Sequence, residues 1–139
     1  MFTLVKVIMG LKGSGKTKKL VDLINETSKD EHENIVCIER KAQLTYDLPY
    51  TVRLVTASDY DLDNYEVLKG FISGLHAGNY DITHIFIDNL FKIVDSTYDS
   101  AAEDFVAWCE AFSEKEKVNF TMTLSADIAL ASDKVKALF

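Results

Sequence analysis

Arginine, proline and cysteine are all scarce in this chain. Its 139 residues include one proline and two cysteines, and acids outnumber lysine plus arginine by 22 to 15, a formal net charge of −7. The only arginines are Arg40 and Arg53. A sequence-independent nucleic-acid binder needs clustered cations to displace counterions, and here the lysines are scattered apart from Lys16-Thr17-Lys18-Lys19. DNA and RNA are therefore not expected as partners. With a single proline there is no Pro-rich linker, and the length fits one domain over residues 1–139 with enough apolar residues (47%) to build a core. No apolar run reaches the roughly 18 residues of a membrane helix. The apolar stretch at the start is too short for a signal peptide, so a soluble, cytoplasmic protein without a membrane partner is expected. Cys37 and Cys109 lack C-x-x-C spacing and read as small buried hydrophobes. His32, His76 and His84 are not at metal-ligand spacings.

What is present is concentrated in Gly10-Leu11-Lys12-Gly13-Ser14-Gly15-Lys16-Thr17. This stretch fits the phosphate-binding pattern G-x-x-x-x-G-K-[ST] at every fixed position. Background composition produces those fixed residues by chance in roughly one chain of this length in a few hundred. The glycines allow a tight turn whose N–H groups point inward at a phosphate. Lys16 adds a charge near the β- and γ-phosphates, and the Thr17 hydroxyl is placed to ligate Mg²⁺. Phe2 to Met9 reads as a buried strand before the loop, and Lys16 to about Lys29 as a helix after it, with Lys18 in its first turn. That context is the one the motif requires, since the helix N-terminus adds positive charge beside the phosphates.

Along the chain, strands are predicted at Asn34–Ile38, Tyr50–Thr56 (towards a sheet edge), Thr83–Asp88 and Val118–Leu124. Helices are predicted after Asp63, taken as the cap of Asp63-Asn64-Tyr65-Glu66, and after Ser100, the start of a capping box ending at Glu103. The first carries Leu68, Phe71, Ile72 and Leu75 on one stripe and stops at Gly78. The second turns Ala101, Phe105, Cys109 and Phe112 inward. The tail reads as a short helix or an extended cover. The order β-α-β-β-α-β-α-β implies an α/β fold, a mostly parallel five-stranded sheet with helices on both faces. Ligands bind such sheets at the carboxyl ends of the strands. The loop, Glu39, Asp88 and Ser125 each follow a strand, so they are expected to converge on one edge.

Asp88 ends an apolar strand and is the candidate carboxylate for Mg²⁺ opposite Thr17, although Asp-Asn is also a common turn pair. The next residue is Asn89, which cannot act as a general base. Glu39, at the end of the strand after the first helix, is the candidate to orient a water in line with the γ-phosphate. Its alternative reading is a solvated acid beside Arg40 and Lys41. Tyr46, Tyr50, Tyr60 and Tyr65 offer a stacking surface or, more simply, core aromatics.

Together the loop, Asp88 and Glu39 resemble the RecA-like branch of the P-loop NTPases. Glu39-Arg40 is similar to the Glu-Arg of rotary ATPase β-subunits, and the resemblance covers about residues 2–127. It implies binding of ATP with Mg²⁺, catalytic roles for Lys16 and Glu39, and a γ-phosphate sensor position at Ser125, where the family more often has Gln, Asn or Thr. It also implies sites shared between subunits, so an arginine finger from Arg40 or Arg53, a homo-oligomer or a further protein partner is open. The chain also resembles small bacterial proteins labelled as ATP-binding, some as twitching-motility ATPases, but it lacks the histidine and acidic boxes of motility ATPases. Two rival readings stand beside slow ATP hydrolysis. One is a nucleotide-sensing module without turnover. The other is a nucleoside kinase similar to thymidine kinases, which have Asp-Glu where this chain has Asp88-Asn89 and a zinc-binding lasso with four cysteines.

Overall fold

Short apolar runs separated by amphipathic helices leave this chain one economical solution, a sheet buried on both faces. The computed structural model describes residues 4–139. Phe2 and Thr3, counted above in the first strand, lie outside the described residues. The strands are β1 (Val5–Gly10), β2 (Ile35–Glu39), β3 (Arg53–Thr56), β4 (His84–Asp88) and β5 (Asn119–Ser125). They form one sheet in the order β1-β5-β4-β2-β3, and every neighbouring pair is parallel. The expected α/β architecture is therefore present, with an all-parallel rather than a mostly parallel sheet. β3 is an edge strand, as expected.

Side chains alternate across each strand, and most on both faces are apolar, with Glu39, Thr121 and Thr123 the buried polar side chains among the described strand residues. Val36, Ile38, Ile85, Ile87, Phe120 and Met122 join the larger core. It is completed by α2 (Tyr65–Gly78), α3 (Leu90–Ile93) and α4 (Ser100–Glu116). Ile8, Ile35, Cys37 and Phe86 face the other way, onto Leu20 and Ile24 of α1 (Lys16–Thr27) and onto Leu44, Leu48 and Val52 of the β2–β3 connection. Both cysteines are buried and unbridged. The tail forms α5 (Asp133–Lys136) and closes in a further turn, and the Leu138 carbonyl accepts the Val7 N–H at 2.8 Å. Among the described residues, no helix is long and apolar enough to cross a membrane.

Both helix caps lie one residue away from their predicted places. Asn64, not Asp63, caps α2 by accepting the Val67 N–H at 2.9 Å. Asp99, not Ser100, caps α4 by accepting the Ala102 N–H at 2.9 Å. Asx residues stand side by side with the predicted caps, and the phase of the helix against the sheet selects between them. Glu103 does not close a capping box, because its carboxylate takes the Tyr98 hydroxyl instead. The inward stripe of α4 consequently starts at Ala102, while Ala101 is exposed. Tyr65 is partly buried against Phe105, but Tyr46 and Tyr50 are each 99% exposed and Tyr60 is exposed as well, so the core reading fails for those three.

Candidate functional site

The parallel register brings four strand ends to one edge. Gly10 pairs with Ser125 across β1 and β5, and Glu39 pairs with Asp88 across β2 and β4. β5, which carries Ser125, lies between the strand that leads into the glycine-rich loop and the strand that ends at Asp88.

The loop from Leu11 to Gly15 is closed by the Ser14 N–H donating to the Leu11 carbonyl at 3.1 Å. Gly13 and Gly15 hold φ of 86° and 83°, the left-handed region where a side chain is strained. Gly15 is also the N-cap of α1 and offers no side-chain cap. The first-turn N–H groups of α1 are thus left for an anion. Lys16 folds back over this loop, its Nζ donating to the Leu11 carbonyl at 3.1 Å. The residue is only 8% exposed. Burial lowers its pKa from the usual lysine value, the Asp88 carboxylate opposes that shift, and the Lys92 ammonium adds to it.

Thr17, the second residue of α1, donates to Asp88 with 3.3 Å to each carboxylate oxygen. Thr123 on β5 donates to Asp88 Oδ1 at 2.7 Å and is fully buried. Asp88 is therefore aimed at Thr17 from below by a neighbouring strand. Asn89 is committed elsewhere: its amide donates to Ser125 Oγ, and its Oδ1 accepts the Phe91 N–H at 3.3 Å, capping α3. The Asp88–Asn89 peptide is cis.

Two hollows open on this edge. One, of about 490 Å³, is lined by Lys16, Thr17, Lys18, Asn89, Lys92 and Ser125, together with Lys12, Gly13 and Gly15 of the loop. The other, of about 260 Å³, is lined by Thr17, Glu39, Arg40, Gln43, Asp88 and Lys92. Thr17, Asn89 and Lys92 border both, which makes them two arms of one depression. A larger hollow of about 710 Å³ lies at the other end of β1, between Leu4, Glu110, Lys117 and Phe139, and contains none of these groups. Chemistry therefore singles out the two-armed depression, not size.

Glu39 is 3% exposed, which corrects the solvated-loop alternative. Burial raises its carboxyl above the ordinary value of 4.5, the Gln43 and Leu44 N–H groups pull it back, and the Asp88 charge raises it further. Arg40 borders the smaller hollow. Arg53 instead donates to Asn79 Oδ1 at 2.9 Å, at the amino end of the sheet. Of the two arginines, only Arg40 is near the depression.

Two residues here escaped sequence reading. Thr123 had a signal: Thr121, Thr123 and Ser125 recur at every second position in an otherwise apolar strand. A polar set on one face of a buried strand implies partners for each hydroxyl. Lys92 had none, because α3 is too short to announce itself by periodicity.

Among the described residues, no group of three or more His, Cys, Asp or Glu side chains is arranged to hold a metal by itself. One hydroxyl and one carboxylate do fit Mg²⁺, which keeps several waters and takes its remaining ligands from phosphates. No protein-family model matches the chain, and no curated protein matches it.

Proposed function

We propose that the chain binds a nucleoside triphosphate with Mg²⁺, ATP in the first place, and hydrolyses it slowly in the service of a partner protein or of its own assembly. The observation that carries this reading is the meeting of Thr17 and Asp88, 71 residues apart, with 3.3 Å from the hydroxyl to both carboxylate oxygens. Such a pair beside a loop with two left-handed glycines is the arrangement phosphoryl-transfer sites use. The position of β5 between β1 and β4 agrees with the resemblance to RecA-like P-loop NTPases.

In this reading the loop N–H groups and the α1 N-terminus cradle the phosphates, and Lys16 exchanges its bond to the Leu11 carbonyl for phosphate oxygens. Thr17 and Asp88 would hold Mg²⁺, which would supply charge neutralisation for the phosphates. Glu39 takes a proton from a water in the smaller arm as its oxygen bonds to the γ-phosphorus and the bond to the leaving diphosphate breaks. Burial suits Glu39 to this, since a raised pKa brings a carboxylate nearer the pH at which a base works best. Ser125, bonded to the Asn89 amide and bordering the larger arm, would be the sensor of the γ-phosphate.

A second reading has an observation of its own. Both Glu39 oxygens already accept backbone N–H groups, which favours a module that senses the nucleotide without turning it over. Steady-state ATP turnover of wild type beside Lys16→Ala and Glu39→Gln, with nucleotide binding measured on the same samples, separates the two. Turnover no faster than Lys16→Ala with tight binding leaves the sensor. Phosphate transfer to an added nucleoside would make the chain a kinase.

A further inference from the structure

The segment between β2 and β3 does more than connect two strands. Leu44, Leu48 and Val52 sink into the core beneath α1. Turns tighten the segment further, with Asp47 N–H to Leu44 C=O and Val52 N–H to Pro49 C=O, both at 3.0 Å. Asn25 of α1 ties it down by donating to the Asp47 carbonyl at 3.3 Å. From this anchored loop two backbone N–H groups reach back to the end of β2. Gln43 donates to Glu39 Oε1 at 3.0 Å and Leu44 to Glu39 Oε2 at 3.4 Å.

A water-orienting carboxylate must present an oxygen to water. Here both oxygens are turned into a loop, and the residue is 3% exposed although it borders the smaller hollow. We infer that the Gln43–Leu44 segment is a latch that holds Glu39 out of its working position and so suppresses turnover at this site. This rests on the nucleotide reading above and adds a regulatory element to it. Turnover requires the loop to give up at least one of these bonds, and the longer bond from Leu44 is the weaker. The exposed Tyr46 and Tyr50 lie on the same loop, so displacement of the latch would move them as well.

The latch is tested at its donor. Gln43→Pro removes the N–H that serves Oε1, while Gln43→Ala keeps it and controls for the side chain. ATP turnover, melting temperature and binding of a fluorescent ATP analogue are measured on purified full-length chain. The expected result is a kcat for Gln43→Pro at least threefold above that of Gln43→Ala, with the difference abolished in a Glu39→Gln background. Equal or lower turnover, with melting and binding as in wild type, overturns the latch. If Gln43→Pro does not fold, two glycines inserted between Thr45 and Tyr46 loosen the same loop, and the same rise or its absence decides. Failure of wild type to bind the analogue at all overturns the nucleotide reading itself, which a failed latch would not do.

Discussion

Thr17 Oγ1 stands 3.3 Å from both oxygens of Asp88, joining the first turn of α1 to the end of β4. Neither residue reaches this position by itself. Gly15 starts α1 in a left-handed conformation that turns Thr17 towards the sheet, and Thr123 holds Asp88 from β5. A hydroxyl bonded to a carboxylate is also a pair of oxygen ligands brought within reach of one cation.

On the nucleotide reading proposed above, that pair should make nucleotide affinity depend on Mg²⁺. Titration of a fluorescent ATP analogue is expected to give at least tenfold tighter binding with Mg²⁺ than with chelator in wild type. In Thr17→Ala and Asp88→Ala that advantage should fall below threefold. Thr123→Val keeps the shape and loses the donor, so it should weaken the Mg²⁺ effect while costing about 1 kcal/mol of stability. Wild-type affinity indifferent to Mg²⁺ would remove Thr17 and Asp88 from metal binding.

Lys16→Ala is expected to lower nucleotide affinity on the order of 100-fold, the scale of losing one buried, charge-assisted contact. Calorimetry reads the affinity directly. Thermal melting without nucleotide should change little, because Lys16 bonds only a loop carbonyl. A large loss of melting temperature would mark Lys16 as a structural lysine.

Glu39→Gln should leave ATP affinity within threefold of wild type and lower kcat about 100-fold or more, the usual range for a lost general base. Its pH profile carries a sign. As a general base Glu39 would work deprotonated, and burial raises its carboxyl above the ordinary value of 4.5, so turnover is expected to fall on acidification with a midpoint above 4.5. A profile flat through that region excludes Glu39 as the base.

His84 supplies a pH test of the fold itself. Burial lowers its pKa to about 4 from 6.5, and it stacks on Phe86 while bonding Thr121 Oγ1 at 2.9 Å. Between those two values the unfolded chain binds a proton that the folded chain does not. The stability is therefore present above pH 6.5 and lost as pH falls towards 4, by about 3 kcal/mol in all. Urea unfolding at pH 7 and pH 4.5 should show this loss in wild type and much less of it in His84→Phe. Equal pH dependence in both proteins would remove His84 from the account.

The loop was legible because its pattern is local. Its two glycines at special φ, its lysine and its hydroxyl lie within eight consecutive residues, and the helix begins inside the same stretch. Asp88 and Glu39 were legible as strand ends, since apolar runs that stop at a carboxylate are visible in a linear text. Thr123 was only half legible, because its polar period shows but its partner does not. Lys92 and the two helix caps depended on where short elements start, which neighbouring residues of equal propensity leave open.

Local chemistry and periodicity encode an α/β chain, a loop of the phosphate-binding pattern and a candidate carboxylate at the end of each of two apolar strands. The remainder comes from how the elements pack. Strand order placed β5 between β1 and β4, and with it the Thr123 hydroxyl under Asp88. Packing of Leu44 and Leu48 beneath α1 turned two N–H groups onto Glu39. Both are contacts between segments distant along the chain or folded back on it, and their geometry is set by the whole core rather than by the residues that meet.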